Sequence, residues 1–555
     1  MKKDLQVGAD GSKITRVVSS ELNSSHSSVT STNSSKDLLP NVVSNSNSAY
    51  EAESVQVSES ETRPSKIVIL LTLVSSISGF MFGYDTGYIS SALVQIGTDL
   101  SNKILTSGEK EFITSATSLG ALLGAILGGV LANLIGRKRV LLGSNVIFVV
   151  GTIIQLAAKT VWTMIVGRFI LGWGVGIASL IAPLMLSELA PSKYRGRLIV
   201  TNVMFITGGQ LVAYLINWGL TRVAHGWRVS VGLCMVPAVL QSVLFFFLPD
   251  TPRYYVMNGD IPKAKQVLRK IHNNPSDAFI DASIEDMIQS DSTVPGNNPL
   301  QKAWESIKII HTTPGNFRAL ILACGLQGIQ QFTGFNSLMY FSTTIFETIG
   351  FKNSTAVSII ISATNFVFTG IALCIIDKVG RRRILLIGMP CMCGALVVCA
   401  IAFHFLNVDF SSGVTIHTRG ISGWGIVVII GMILYVASYA IGIGNAAWVG
   451  VELFSDVNVR SIGGMYAACT NWAGSLVIAS TFLTMLEKIT PTGTFSFFAG
   501  LCVIAFFFVY FLLPDTAGLE LEETTNFLTK GFNVKQSIAL SKARKRKSKY
   551  TSGSV

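Results

Sequence analysis

The sequence predicts an all-α membrane protein: twelve transmembrane helices in two six-helix halves, with a short cytoplasmic helical segment between the halves. Three observations predict it. Hydrophobic residues make up 50% of the chain and charged residues only 13%, with a mean hydropathy of +0.52, whereas a soluble domain carries about a quarter charged residues. Apolar stretches approaching the ~20 residues that cross a bilayer recur along the chain, among them Ile67–Ile77, Ala116–Ile135, Val229–Leu248, Ile384–Phe405 and Phe495–Leu513. Matching short motifs also follow matching spans in the two halves.

Residues 1–65 are rich in Ser, Asn and Val and lack the apolar stretch of a cleavable secretory signal, which predicts a disordered cytoplasmic tail. The N-terminal bundle, 66–248, holds spans near 67–95, 112–134, 140–158, 162–186, 198–218 and 229–248. A polar segment, 249–316, follows. There Ala264, Val267, Leu268 and Ile271 share one face after Asp260 and Pro262, the pattern of a short amphipathic helix under the bundle. The C-terminal bundle, 317–514, holds spans near 318–347, 355–376, 384–405, 424–454, 462–485 and 494–513, and 515–555 form a basic cytoplasmic tail.

Lys and Arg gather in the connections from even to odd spans: Arg137, Lys138 and Arg139; Lys193, Arg195 and Arg197; Lys378, Arg381, Arg382 and Arg383; Arg460. By the positive-inside bias both termini then lie in the cytoplasm. The same clustering accounts for the formal charge of +12, so nucleic acid is not an expected partner. The eight cysteines sit mostly inside apolar spans without metal-ligand spacing, and are expected as small core residues. No catalytic triad, nucleotide-binding motif or metal cluster is legible; no enzymatic activity, cofactor or metal is expected.

The repeat is the strongest organising signal. Gly136-Arg137-Lys138 follows span two as Gly380-Arg381-Arg382 follows span eight; Glu188 and Arg195 follow span four as Glu452 and Arg460 close span ten; Pro249-Asp250-Thr251 ends span six as Pro514-Asp515-Thr516 ends span twelve. Two parallel halves of this kind are an arrangement of secondary transporters that rock about a midplane site.

At these residues the chain resembles the sugar porter family of the major facilitator superfamily, from about Lys66 to Glu523. The resemblance is carried by Gly83-Tyr84-Asp85-Thr86-Gly87, Gly167-Arg168, Glu188 through Arg195-Gly196-Arg197, Pro249-Asp250-Thr251-Pro252-Arg253, Gln330-Gln331-Phe332-Thr333-Gly334-Phe335-Asn336, Asp377 through Arg382, and Asn471-Trp472. Around Tyr84–Leu93, Asp250–Gly259 and Phe332–Ser342 it is similar to fungal myo-inositol transporters, and this implies proton symport. Two positions depart from the family pattern. Asn133 stands where an aspartate is usual, and Ala447 precedes Trp448 where a proline is usual.

Asp85 lies deep in an apolar helix, where an ionised carboxylate costs about 2.5 to 3.5 kcal/mol on insertion scales. Arg168, early in span four, is equally costly alone, so the two are expected to pair. Proton uptake by Asp85 from outside would loosen the pair and permit the change of access; a fixed structural ion pair is the alternative. A polyol is an uncharged ring of hydroxyls and needs neutral donors and acceptors. Gln330, Gln331 and Asn336 offer these in span seven, where Gly328 and Gly334 permit a break. Tyr340 follows Asn336 by four residues on the same face, and Gln210, Asn365, Trp448, Asn471 and Trp472 complete the expected lining. Glu188, Arg195, Arg197, Asp377, Arg381, Arg382, Glu452 and Arg460 form a cytoplasmic charge layer, expected to gate by ion pairs that part as the halves rock; topology-setting alone explains the bases but not acids at matching points. Gly120, Gly124 and Gly128 in span two, with Gly172, Gly174 and Gly176 in span four, predict close helix packing.

The expected function is proton-coupled symport of myo-inositol or a related polyol into the cell, at the plasma membrane, by a chain working as a monomer in the lipid bilayer. A hexose transporter and a non-transporting nutrient sensor are the alternatives.

Overall fold

A computed structural model describes residues 65–189, 195–273, 275–292, 294–296, 299–406, 408, 423–454, 457–515 and 528–542. The expected N-terminal tail before Ser65 and most of the basic run after Lys542 lie outside the described residues. The first half comprises α1 (Lys66–Gln95), α2 (Ser107–Ile135), α3 (Arg137–Leu156), α4 (Val161–Leu189), α5 (Arg195–Leu220) and the consecutive pair α6 (Gly226–Leu233) and α7 (Met235–Phe246). Four short helices follow: α8 (Pro252–Met257), α9 (Ile261–Ile271), α10 (Asp277–Ser292) and α11 (Pro299–Thr312). The second half comprises α12 (Pro314–Phe332), α13 (Phe335–Ile349), α14 (Ser354–Val379), α15 (Arg381–Leu406), α16 (Gly423–Ile441), α17 (Ile443–Ala446), a 3-10 turn at Ala447–Leu453, α18 (Val457–Ala479), α19 (Phe482–Lys488) and α20 (Thr490–Leu512).

Eleven helical segments among the described residues are long and apolar enough to cross a membrane. The remaining crossing, α12 with α13, is broken at Thr333-Gly334 into pieces of 19 and 15 residues. Of the two glycines that could permit the break, Gly334 makes it: its φ is +87°, which a side chain would disfavour. Gly328 stays helical.

Repeat geometry follows repeat sequence. Gly136 and Gly380, at φ +93° and +99°, turn the chain between α2 and α3 and between α14 and α15. After each turn a base caps the last crossing of its own half: Lys138 Nζ donates to Leu248 O at 2.7 Å, and Arg382 to the carbonyl oxygens of Val509, Tyr510 and Leu513. A cation on the unpaired carbonyls of a helix end is favoured there. Arg382, expected in the charge layer, therefore acts as a helix cap.

Small residues let α2 and α4 approach at backbone distance. A Cβ on Gly120 would lie 2.1 Å from Phe169 O, on Gly124 2.4 Å from Trp173 O, and on Gly176 2.0 Å from Ala121 O. Gly174 faces α3 instead, against Ser144 O. The expected face of α9 is buried at Ala264, Val267, Leu268 and Ile271. Of the cysteines, Cys234, Cys399 and Cys502 are buried, but Cys374 and Cys391 are exposed on helices that are apolar all round. Trp162, Phe246, Phe247 and Phe511 are likewise exposed, as expected of surfaces turned to lipid.

The halves meet along α2 and the antiparallel α18 and α19: Glu111 accepts from Thr484 N and Oγ1 at 2.8 and 2.7 Å, Ser118 and Ser475 hydroxyls lie 3.0 Å apart, and Gly129 abuts Met465. They meet again where Ser90 Oγ donates to Thr343 Oγ1 at 3.1 Å and Tyr214 OH to Met339 O at 2.5 Å.

Candidate functional site

Two groups of side chains lie within the bundles. In the first half, Arg168 on α4 reaches α1: its Nη1 donates to Asp85 Oδ1 at 2.6 Å and to Tyr88 OH at 2.8 Å, while Nε donates to Ile113 O at 3.3 Å. Asp85 and Arg168 are both sealed from lipid, with 2% and 0% of their side chains exposed. Arg168 Nη2 has no partner. Tyr88 OH donates onward to Gln155 Oε1 at 2.6 Å. Neither Tyr88 nor Gln155 was expected from sequence. Tyr88 had a signal, standing three residues after Asp85 on the same helical face.

In the second half, the break at Gly334 brings the start of α13 beside the end of α12, so that Asn336 Nδ2 donates to Gln331 Oε1 at 2.8 Å. Asn471 Nδ2 on α18 donates to Gln327 Oε1 and to Gln330 Oε1, both at 2.7 Å, and Gln330 Nε2 donates to Gly444 O at 2.9 Å, where the tenth crossing is interrupted. Gln327 is thus a fifth amide of this cluster that sequence reasoning omitted, although it stands three and four residues before Gln330 and Gln331. Its Nε2 is buried without a partner.

Of the other residues expected to line the site, Asn365, Gln210 and Trp472 connect the halves. Asn365 Nδ2 on α14 donates to Gln210 Oε1 on α5 at 3.0 Å. Trp472 Nε1 donates to Ser179 Oγ at 3.1 Å, and its ring lies edge-on to Phe82 with centroids 5.2 Å apart. Tyr340 is buried on α13. Trp448 is half-buried in the 3-10 turn. This amide cluster carries no charge among the described residues and holds both donors and acceptors, a chemistry that suits hydroxyls better than ions.

At the helix ends that carry the repeated charge motifs, Glu188 pairs with Arg137, Nη2 to Oε1 at 2.7 Å, within the first half. Its motif neighbour Asp250 accepts from Thr251 N at 2.8 Å and from Lys138 N at 3.3 Å; burial raises its carboxyl above the ordinary range, and these N–H groups oppose that. Arg460 Nη2 donates to Phe454 O at 3.1 Å, and Arg381 also has a partner. The side chains of Asn133, Arg195, Arg197, Asp377 and Glu452 lie outside the described residues.

A family model described as "Sugar (and other) transporter" matches residues 71–528. The chain belongs to the sugar transporter family. It is a transporter rather than an enzyme. This sugar transporter is 83% identical over 535 residues to myo-inositol transporter 1 of Candida albicans, covering 96% of both chains. It is 58% identical over 482 residues to myo-inositol transporter 1 of Saccharomyces cerevisiae, covering 87% of this chain and 82% of that one. Its fold is that of the major facilitator superfamily. The proton:xylose symporter XylE bound to 6-bromo-6-deoxy-D-glucose superposes with a TM-score of 0.69 at 24% identity, covering 83% of this transporter and 99% of XylE. The partially occluded inward open form of XylE from E. coli gives 0.68, covering 82% and 100%.

Proposed function

We propose that the protein carries myo-inositol, or a closely related polyol, together with a proton into the cell across the plasma membrane. The observation that carries this is the 83% identity, over nearly the whole of both chains, to a protein named a myo-inositol transporter. The neutral amide cage supports an uncharged polyhydroxylated solute, and the enclosed Asp85–Arg168 pair supports a proton as the coupled ion. Asp85 takes a proton, Arg168 falls back on Tyr88 and Ile113 O, and the halves change access around the cage. The cytoplasmic layer, with Glu188 and its counterparts, holds the inner side shut in the opposite state. Both termini lie in the cytoplasm, and one chain holds both halves and so acts as a monomer.

One proton driven by 100 mV and one pH unit supplies about 2.3 plus about 1.36 kcal/mol, enough for roughly 500-fold accumulation. The test is uptake of a polyol panel by the purified protein in liposomes, with and without a protonophore. Myo-inositol accumulated only while the gradient stands is the expected result. Counterflow of glucose equal to that of myo-inositol identifies a hexose carrier instead, and no flux of either identifies a sensor.

A further inference from the structure

The tenth crossing breaks without a proline. Helix α16 ends at Ile441, Gly442 adopts φ −92° and ψ −110°, and the chain re-enters a helical turn at Ile443, with no proline between Gly442 and Leu453. A break of this kind strands carbonyl oxygens of the last helical turn. Side-chain amides take two of the carbonyls at the break. Asn445 Nδ2 donates to Ala440 O at 2.6 Å, and Gln330 Nε2 donates to Gly444 O at 2.9 Å.

The first of these bonds fixes which way the Asn445 amide faces. Its NH2 must lie toward Ala440 O, so its oxygen cannot turn there; yet Asn445 is only 5% exposed and Oδ1 has no partner among the described residues. A buried acceptor in this position awaits a donor. The residue beside it, Gly444, is bonded to Gln330 of the cage, and Trp448 stands three positions further along the same short turn. At the other end of the amide chain, Gln327 Nε2 is a buried donor without a partner. A free donor and a free acceptor on one uncharged cluster match a solute whose hydroxyls both give and accept hydrogen bonds. An anionic solute, which offers acceptors alone, would leave Asn445 Oδ1 unmet.

We infer that Asn445 is a further solute-binding and specificity-determining residue: its NH2 holds the tenth crossing broken, and its Oδ1 accepts a hydrogen bond from one hydroxyl of the polyol. This rests on the proposed polyol-transport reading. It makes the bend of this crossing and the recognition of one ring position functions of a single side chain.

The test is binding of myo-inositol and its mono-deoxy analogues to the full-length protein in proteoliposomes, for the unmutated chain, Asn445→Ala and Asn445→Asp. One deoxy position should cost the unmutated protein about tenfold in affinity, the worth of about 1.4 kcal/mol, and cost Asn445→Ala less than about twofold, as a pairwise interaction requires. Asn445→Asp, which keeps an acceptor, should still discriminate at that position. A variant alanine profile parallel to the unmutated one at every position overturns the inference. A cryo-EM map of the unmutated protein with myo-inositol tests it without any variant. A solute oxygen within about 3.2 Å of Asn445 Oδ1 is expected, and an oxygen-free Oδ1 overturns it. If the unmutated protein binds no myo-inositol at all, the functional reading fails and the inference falls with it; binding without an Asn445-dependent hydroxyl sinks the inference alone.

Discussion

Asp85 and Arg168 are joined by a 2.6 Å bond inside the first bundle, and the same Arg168 nitrogen also holds Tyr88 OH. The sharing matters because an arginine left alone in such a place is costly: removing one partner of a buried pair typically costs about 3 to 5 kcal/mol. Tyr88 OH and the carbonyl of Ile113 also bond Arg168, so on the proposed reading the guanidinium keeps partners when Asp85 takes a proton.

The amide cage makes a prediction separable from coupling. Gln331→Ala removes the acceptor of Asn336 Nδ2 and one or two solute contacts, each worth about 1 kcal/mol. The KM for myo-inositol should rise about tenfold, with the pH dependence of uptake unchanged. Initial-rate kinetics in liposomes measure it, and an unaltered KM removes Gln331 from the site.

Packing between α2 and α4 should tolerate nothing larger than hydrogen at Gly176, where a Cβ would sit 2.0 Å from the backbone oxygen of Ala121. Gly176→Val should lower thermal stability in detergent by the equivalent of about 1 to 3 kcal/mol or more. Gly143→Ala, with nothing within 4 Å of the new methyl, should match or exceed the parent, since Gly inside a helix costs roughly 0.5 to 1 kcal/mol relative to Ala. Melting curves of the two variants side by side decide it.

What was legible in the sequence follows the physics of the bilayer. Asp85 and Arg168 announced each other because each is expensive alone, and the glycine ladder of α2 named its own partner helix. Gln155 was silent, since a lone amide in an apolar helix reads equally as an interhelical bond, whereas Gln327 carried a signal in its spacing of three and four residues from Gln330 and Gln331. The partner of Glu188 was not legible either: the positive φ at Gly136 sets where Arg137 begins α3, and side-chain direction after such a turn is a three-dimensional fact. Cys374 and Cys391 could not be placed on lipid-facing surfaces, because helices apolar on every side carry no periodic signal for which face is outside.

The connections around Asp99 and His225 carry a clasp with a defined pH window. Asp99 Oδ2 accepts the Trp227 indole N–H at 2.8 Å and lies 2.7 Å from His225 Nδ1. The indole bond first, then His225, hold its carboxyl below the ordinary value of 3.8. A carboxyl depressed in the folded state contributes stability that is fully present above its unfolded value and is lost as pH falls through the lower folded one. Protection factors of the amides around Asp99 and Trp227, with the intrinsic pH dependence of exchange divided out, should therefore be unchanged between about pH 7 and 5 and fall only below about pH 4. Asp99→Asn should abolish the acid step; loosening of the parent already at pH 5 would contradict the assignment.

Uptake by Asp85→Asn tests the coupling account most directly. The variant is placed in proteoliposomes with an inward proton gradient, and radiolabelled myo-inositol is followed in net accumulation and in counterflow. The account predicts that accumulation above equality disappears and loses its dependence on pH, while counterflow continues because the cage is intact. Gradient-driven accumulation by Asp85→Asn at the parent's level would contradict it.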